Sequence, residues 1–167
     1  MNILFIPENC HYHVWPGKTY NDILVNYQKY SKNNINIIYT NEYHNYDETK
    51  IKNMNLDLIV FFDTDTLRYA KNFDYVFNMN IPIFACSLDL FHIKLCMKCK
   101  YIEQCTGILT FSRSTKVLNK YRECFPDKII DYFDARYVNT DRFKNYKLKK
   151  KYDILLYGSR AWSYHFI

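Results

Sequence analysis

One pattern constrains the fold more than any other: short, nearly unbroken apolar runs, each closing abruptly in polar residues. Leu56 to Phe62 (LDLIVFF) is the clearest, and it stops at Asp63-Thr64-Asp65-Thr66. Ile81 to Cys86 (IPIFAC) ends at Ser87-Leu88-Asp89, and Gly107 to Phe111 (GILTF) ends at Ser112-Arg113-Ser114. Asn2 to Pro7 (NILFIP) and Asn36 to Thr40 have the same character. Runs this apolar imply strands buried on both faces, as in a parallel sheet covered by helices. Helical spacing fills the intervals. It appears as Ile23, Leu24, Tyr27 and Tyr30 within Tyr20 to Ser31, and as Asp47 to Met54 with acid in its first turn. It continues in Thr66 to Asn72 behind a Thr64 or Asp65 cap, and in a serine-capped helix reaching Cys124. The alternation predicts an α/β, Rossmann-like parallel sheet flanked by helices and joined by right-handed crossovers.

A chain of 167 residues suits one such core. With only 3 Gly and 4 Pro, collagen, Gly-rich linkers and turn-dense β architectures are excluded, and neither a P-loop nor GxGxxG occurs. The longest apolar runs fall far short of the roughly 18 residues of a membrane span, and Met1 to Pro7 lacks a basic leader region. A cytoplasmic protein with reduced thiols is therefore expected, despite six Cys. Tyr (17 residues), Phe (12 residues), Asn, Ile and Lys are the residues of A/T-rich codons, viral genomes included, so the aromatic content alone argues no stacking function. A net charge of +6 permits attraction to phosphate-bearing partners. The densest basic run, Lys144 to Lys151, has no nucleic-acid-binding signature beside it and reads as a solvated connector.

In open parallel sheets, ligands collect outside the carboxyl ends of the strands, at a topological switch point. That rule selects the loops Glu8 to Lys18, Asp63 to Thr66, Ser87 to His92 and Ser112 to Ser114 as the functional surface. A separate cluster, His92, Cys96, Cys99 and Cys105, spells H-x3-C-x2-C-x5-C. Three thiols and an imidazole are ligands that tetrahedral zinc prefers, and a helix would align His92, Cys96 and Cys99 on one face. The same residues also read as a Cys96–Cys99 redox dithiol or as buried structural thiols. Lys94, Lys98 and Lys100 would depress the thiol pKa values if the thiols were exposed.

Towards the C-terminus stands Val138-Asn139-Thr140-Asp141-Arg142-Phe143, then a basic spacer, then Lys151-Tyr152-Asp153-Ile154-Leu155-Leu156-Tyr157-Gly158-Ser159. This resembles the interdomain connector and first C-terminal strand of two-domain GT-B glycosyltransferases, which read V-D-T-D-x-F followed by K-Y-D-I-L-x-x-G-S. Ile108 to Ser112, the helix after it and the Phe125-Pro126 turn are similar to the late part of that family's N-terminal half.

The resemblance implies three parts: residues 1–133 as an acceptor-side domain, 134–151 as a connector, and 152–167 as the truncated start of a donor-side domain. It implies a nucleotide-sugar donor as substrate, a carbohydrate or glycosylated acceptor, and Gly158, Ser159 and Arg160 beside the donor diphosphate. Such a transferase needs a base at the acceptor hydroxyl. His11, His13 and Asp89 are the candidates, with partial desolvation raising the Asp89 pKa. Tyr12 and Trp15 would stack on the sugar, with Asp63, Asp65 and Ser112 also on the acceptor side. The donor half would come from a separate polypeptide, or the exposed interdomain face would form a homo-oligomer. The alternatives from the residues themselves are a non-catalytic binding or assembly module on the same fold and a basic nucleic-acid binder.

Overall fold

The computed structural model describes residues 1–7, 16–39, 48–62, 67, 74–87 and 92–133. Six strands form one sheet: β1 (Asn2–Ile6), β2 (Asn34–Ile37), β3 (Leu58–Phe61), β4 (Ile83–Ser87), β5 (Gly107–Thr110) and β6 (Ile129–Tyr132). Every pairing is parallel, and the order is β2-β1-β3-β4-β5-β6. The helices are α1 (Pro16–Tyr30), α2 (Glu48–Lys52), α3 (Asp74–Phe77), α4 (His92–Lys98) and α5 (Thr115–Cys124), with a 3-10 turn at Ile102–Gln104. The arrangement is the α/β, Rossmann-like parallel sheet that the apolar runs predict. No helix among the described residues is long and apolar enough to cross a membrane.

Alternation along each strand sends side chains to two separate cores. Leu4, Ile6, Ile59, Phe61, Ile83, Ala85, Ile108 and Ile130 point to one face, where Ile51 of α2, Val76 of α3, Ile93 of α4 and Tyr121 of α5 meet them. Ile3, Phe5, Val60, Phe62 and Cys86 point to the other, against Ile23 and Leu24 of α1. This explains why Leu56 to Phe62 has no polar alternation: both faces of β3 are covered.

Several boundaries differ from the sequence expectation. α1 begins at Pro16 rather than Tyr20, so the loop expected to run to Lys18 is helical from Pro16. β3 and β4 begin two residues later than expected, and the outer strands differ most. β2 begins at Asn34 rather than Asn36, because an edge strand can alternate Asn with Ile and keep one face wet. Its start is held by Asn34 N–H donating to the Met1 carbonyl (2.9 Å) and Asn34 Nδ2 donating to Asn2 Oδ1 (3.0 Å). β6 occupies Ile129–Tyr132, where the sequence suggests the end of the domain. Only Ile130 is buried in it, so it lacks the apolar signature of the central strands. α3 was also hidden, being one turn long.

The β4–β5 pairing depends on a glycine. A Cβ on Gly107 would lie 2.4 Å from the Ile129 carbonyl oxygen and 2.5 Å from Phe84 Cε1. The Phe84 ring fills the space that a side chain on Gly107 would need.

Candidate functional site

The strand order reverses between β1 and β3, since β2 lies on one side of β1 and all later strands lie on the other. The switch point is therefore at the carboxyl ends of β1 and β3, the place where such sheets bind ligands. The chain leaves β1 at Ile6 and β3 at Phe61, which are register partners. His11, Tyr12, His13 and Trp15 follow the first, and Asp63 and Asp65 the second. All six lie outside the described residues, as do Asp89, Gly158, Ser159 and Arg160, and the connector and donor-side segments from 134 onward.

What the structure describes is the frame of that edge. Phe62, Phe111 and Phe133 form a group of rings with Phe5 and Tyr27. Phe62 meets Phe111 at 5.6 Å and Phe133 at 5.3 Å, edge to face, and Tyr27 of α1 lies 4.8 Å from Phe133. Edge-to-face rings at these separations add favourable quadrupole contacts to their area burial. The ring of Phe133, just past the outer strand β6, thereby reaches α1 and β1. Beside Tyr27, Asn26 is 4% exposed and its Nδ2 has no hydrogen-bond partner. Such an orphan donor is costly when dry.

Beside the switch point, Ser87 closes β4 as a fully buried hydroxyl. Its Oγ lies 2.5 Å from the Tyr121 hydroxyl of α5, and Cys96 Sγ of α4 donates to it at 3.8 Å. Three elements are joined at the point where the chain departs toward Asp89. At the end of β5, Thr110 Oγ1 donates to the Ser112 carbonyl (2.7 Å), and the Ser114 N–H donates to Ser112 Oγ (3.2 Å). Ser112 is half-buried just past the carboxyl end of β5. Ser114 occupies the cap position of α5, but its side chain makes no capping bond. The serine cap that the sequence suggests is replaced by this turn at Ser112. Arg113 sets its guanidinium 4.6 Å over the Tyr132 ring, which brings a cation to the same edge.

The cysteine segment is helical through Lys98. Cys96, Cys99 and Cys105 are all buried in the core, while the His92 side chain lies outside the described residues. Among the described residues, no group of three His, Cys, Asp or Glu side chains is arranged to hold a metal ion. Cys105 Sγ donates to the Tyr101 carbonyl at 3.4 Å. Burial pushes the Cys105 thiol up to about 12, the neighbouring Cys99 adds to the rise, and Lys128 opposes it. At Cys105, desolvation thus outweighs the depression that nearby lysines would give an exposed thiol. Lys128 is instead a clamp: its ammonium donates to the carbonyls of Glu103 (2.5 Å) and Cys105 (2.8 Å).

Sequence reasoning missed Tyr121, Cys124 and Lys128. Tyr121 had a signal, since it follows Val117 at helical spacing and both are buried. Cys124 and Lys128 had none, because they join the cysteine segment only through the packing of α5 on α4. No family model, no curated protein and no solved structure matches this chain.

Proposed function

We propose that this chain is the acceptor-side half of a GT-B-type glycosyltransferase. The observation that supports it most is the switch point at the carboxyl ends of β1 and β3, from which the loops carrying His11, His13, Asp63 and Asp65 depart. In this reading the acceptor saccharide lies across that edge, with Tyr12 and Trp15 as stacking platforms and Ser112 as a hydroxyl donor. His11, His13 or Asp89 removes the proton of the attacking hydroxyl. Gly158, Ser159 and Arg160 serve the diphosphate of a nucleotide-sugar, where negative charge develops as the bond to the sugar breaks. The resemblance of residues 138–159 to the GT-B connector supports this assignment of sides. A zinc ion held by His92 with Cys96, Cys99 and Cys105 is not part of it.

The test is saccharide binding followed by turnover. Ligand-observed NMR with a panel of oligosaccharides should detect acceptor binding by the chain alone. Transfer from nucleotide-sugars should appear when a donor-side polypeptide is supplied. Absence of saccharide binding together with absence of turnover overturns the reading.

A second reading, a binding or assembly module on the same fold, is favoured by one feature. On the α1 face, Ile129 of β6 is 56% exposed, with Phe84 and Leu109 half-buried beside it. An apolar row of that kind suits a protein partner. Nucleic acid is the weaker alternative, since no nucleic-acid-binding signature accompanies the Lys144 to Lys151 run.

A further inference from the structure

We propose that the groove between α4 and α5 is a modification site for low-molecular-weight disulfides, with Cys124 as the attacking thiol and Cys99 as the thiol that resolves the adduct. The groove encloses about 290 Å³ and is lined by Cys96, Cys99 and Cys124 together with Ile102, Phe125 and Lys128. Its Cys124 to Lys128 wall lies toward the amino end of β6, and none of its lining residues belongs to the proposed acceptor site. The proposal is thus independent of the transferase reading.

Access and engagement separate the thiols. None of the five described cysteines is in a disulfide. Cys86, Cys96, Cys99 and Cys105 are buried, whereas Cys124, in the groove lining, is half-buried. Thiol–disulfide exchange needs an attacking sulfur that the reagent can reach. Cys96 is engaged with Ser87, and Cys105 with the Tyr101 carbonyl. Of the three thiols that line the groove, Cys99 and Cys124 remain, one just past the end of α4 and one at the end of α5. Both thiols line the same groove, which places them on facing walls of one space.

The chemistry balances in two exchanges. The Cys124 thiolate attacks one sulfur of the small disulfide, so that a Cys124–sulfur bond forms, the reagent's own S–S bond breaks and one thiolate leaves. Cys99 then gives its proton to water and attacks the Cys124 sulfur, expelling the second thiolate. Two protein thiols are oxidised to one bridge, and one small disulfide is reduced to two thiols.

The test uses the full chain, in wild-type form and with Cys10→Ser to remove the thiol that lies outside the described residues. Each is incubated with oxidised glutathione, quenched with a maleimide and mapped by peptide mass. The expected order is glutathione on Cys124 first, then a Cys99–Cys124 bridge. Cys99→Ser should stop the reaction at the Cys124 adduct, and Cys124→Ser should remove both products. First appearance of the adduct on another cysteine overturns the proposal. So does a wild-type Cys124 adduct that persists as long as in Cys99→Ser. The order in the Cys10→Ser and wild-type proteins is read directly, so it stands even where a groove variant fails to fold.

Discussion

The Tyr121 hydroxyl of α5 lies 2.5 Å from the Ser87 hydroxyl at the end of β4, and both side chains are fully buried. One polar contact thus ties the last helix before β6 to the middle of the sheet, at the edge where the ligand site is proposed. Buried hydroxyls must be partnered, and a partnered pair fixes where two elements meet.

Tyr121→Phe keeps the ring and deletes the hydroxyl. The expected loss is about 1–2 kcal/mol of unfolding free energy, because Ser87 loses its shortest hydrogen bond in a dry site. Ser87→Ala should cost a similar amount, and the double variant less than the sum. Urea unfolding of the four proteins measures the coupling. Simple additivity would mean that the two hydroxyls do not interact.

Gly107→Ala should cost about 1–3 kcal/mol, since its methyl group would meet the Ile129 carbonyl and the Phe84 ring together. A ring can move, but a carbonyl in the β5–β6 ladder cannot move without shifting the strand. Phe84→Ala added to Gly107→Ala should therefore relieve part of the strain and leave the rest, as read from thermal unfolding.

Asn26→Leu should stabilise the protein by about 1 kcal/mol. The amide Nδ2 is buried without a partner, and replacing an orphan donor by an apolar side chain of similar size removes its desolvation cost. A loss of stability in a denaturant titration would show that the amide is satisfied in solution.

Stability should fall as pH rises from about 9 toward 12. The folded Cys105 thiol is raised to about 12 from an ordinary value of 9.0. Over that window the unfolded chain releases this proton while the folded chain retains it, so the unfolded state gains. The slope from this group is on the order of 1.4 kcal/mol per pH unit, and below pH 9 it vanishes. Cys105→Ala should flatten the decline between pH 9 and 11 in urea midpoints, relative to the wild type at each pH.

The central strands were legible because burial on both faces leaves an unbroken apolar run, as in Leu56 to Phe62. Edge strands carry a weaker mark. Ile129–Tyr132 buries one residue, and its assignment rests on the Ile108–Ile130 and neighbouring pairings, which are long-range. The edge at which a candidate site is expected was legible, since the rule about carboxyl ends depends only on strand direction and the strands are parallel as expected. Its supporting chemistry was not: Ser87 and Tyr121 are 34 positions apart, and nothing local connects them. The same holds for Cys124 and Cys99, which share a groove through helix packing. The sequence spacing His92, Cys96, Cys99 and Cys105 suggested a metal set. The thiols among them are core residues, with two engaged by Ser87 and Tyr101.

Amide chemical-shift mapping during titration with an acceptor oligosaccharide addresses the central claim, ligand binding at the carboxyl edge of the sheet. The account expects shifts concentrated at Ile6, Phe62, Ser87 and Ser112, with the opposite edge at Asn2, Asn34 and Leu58 unmoved. Shifts centred on that opposite edge, or none with any saccharide in the panel, would contradict it.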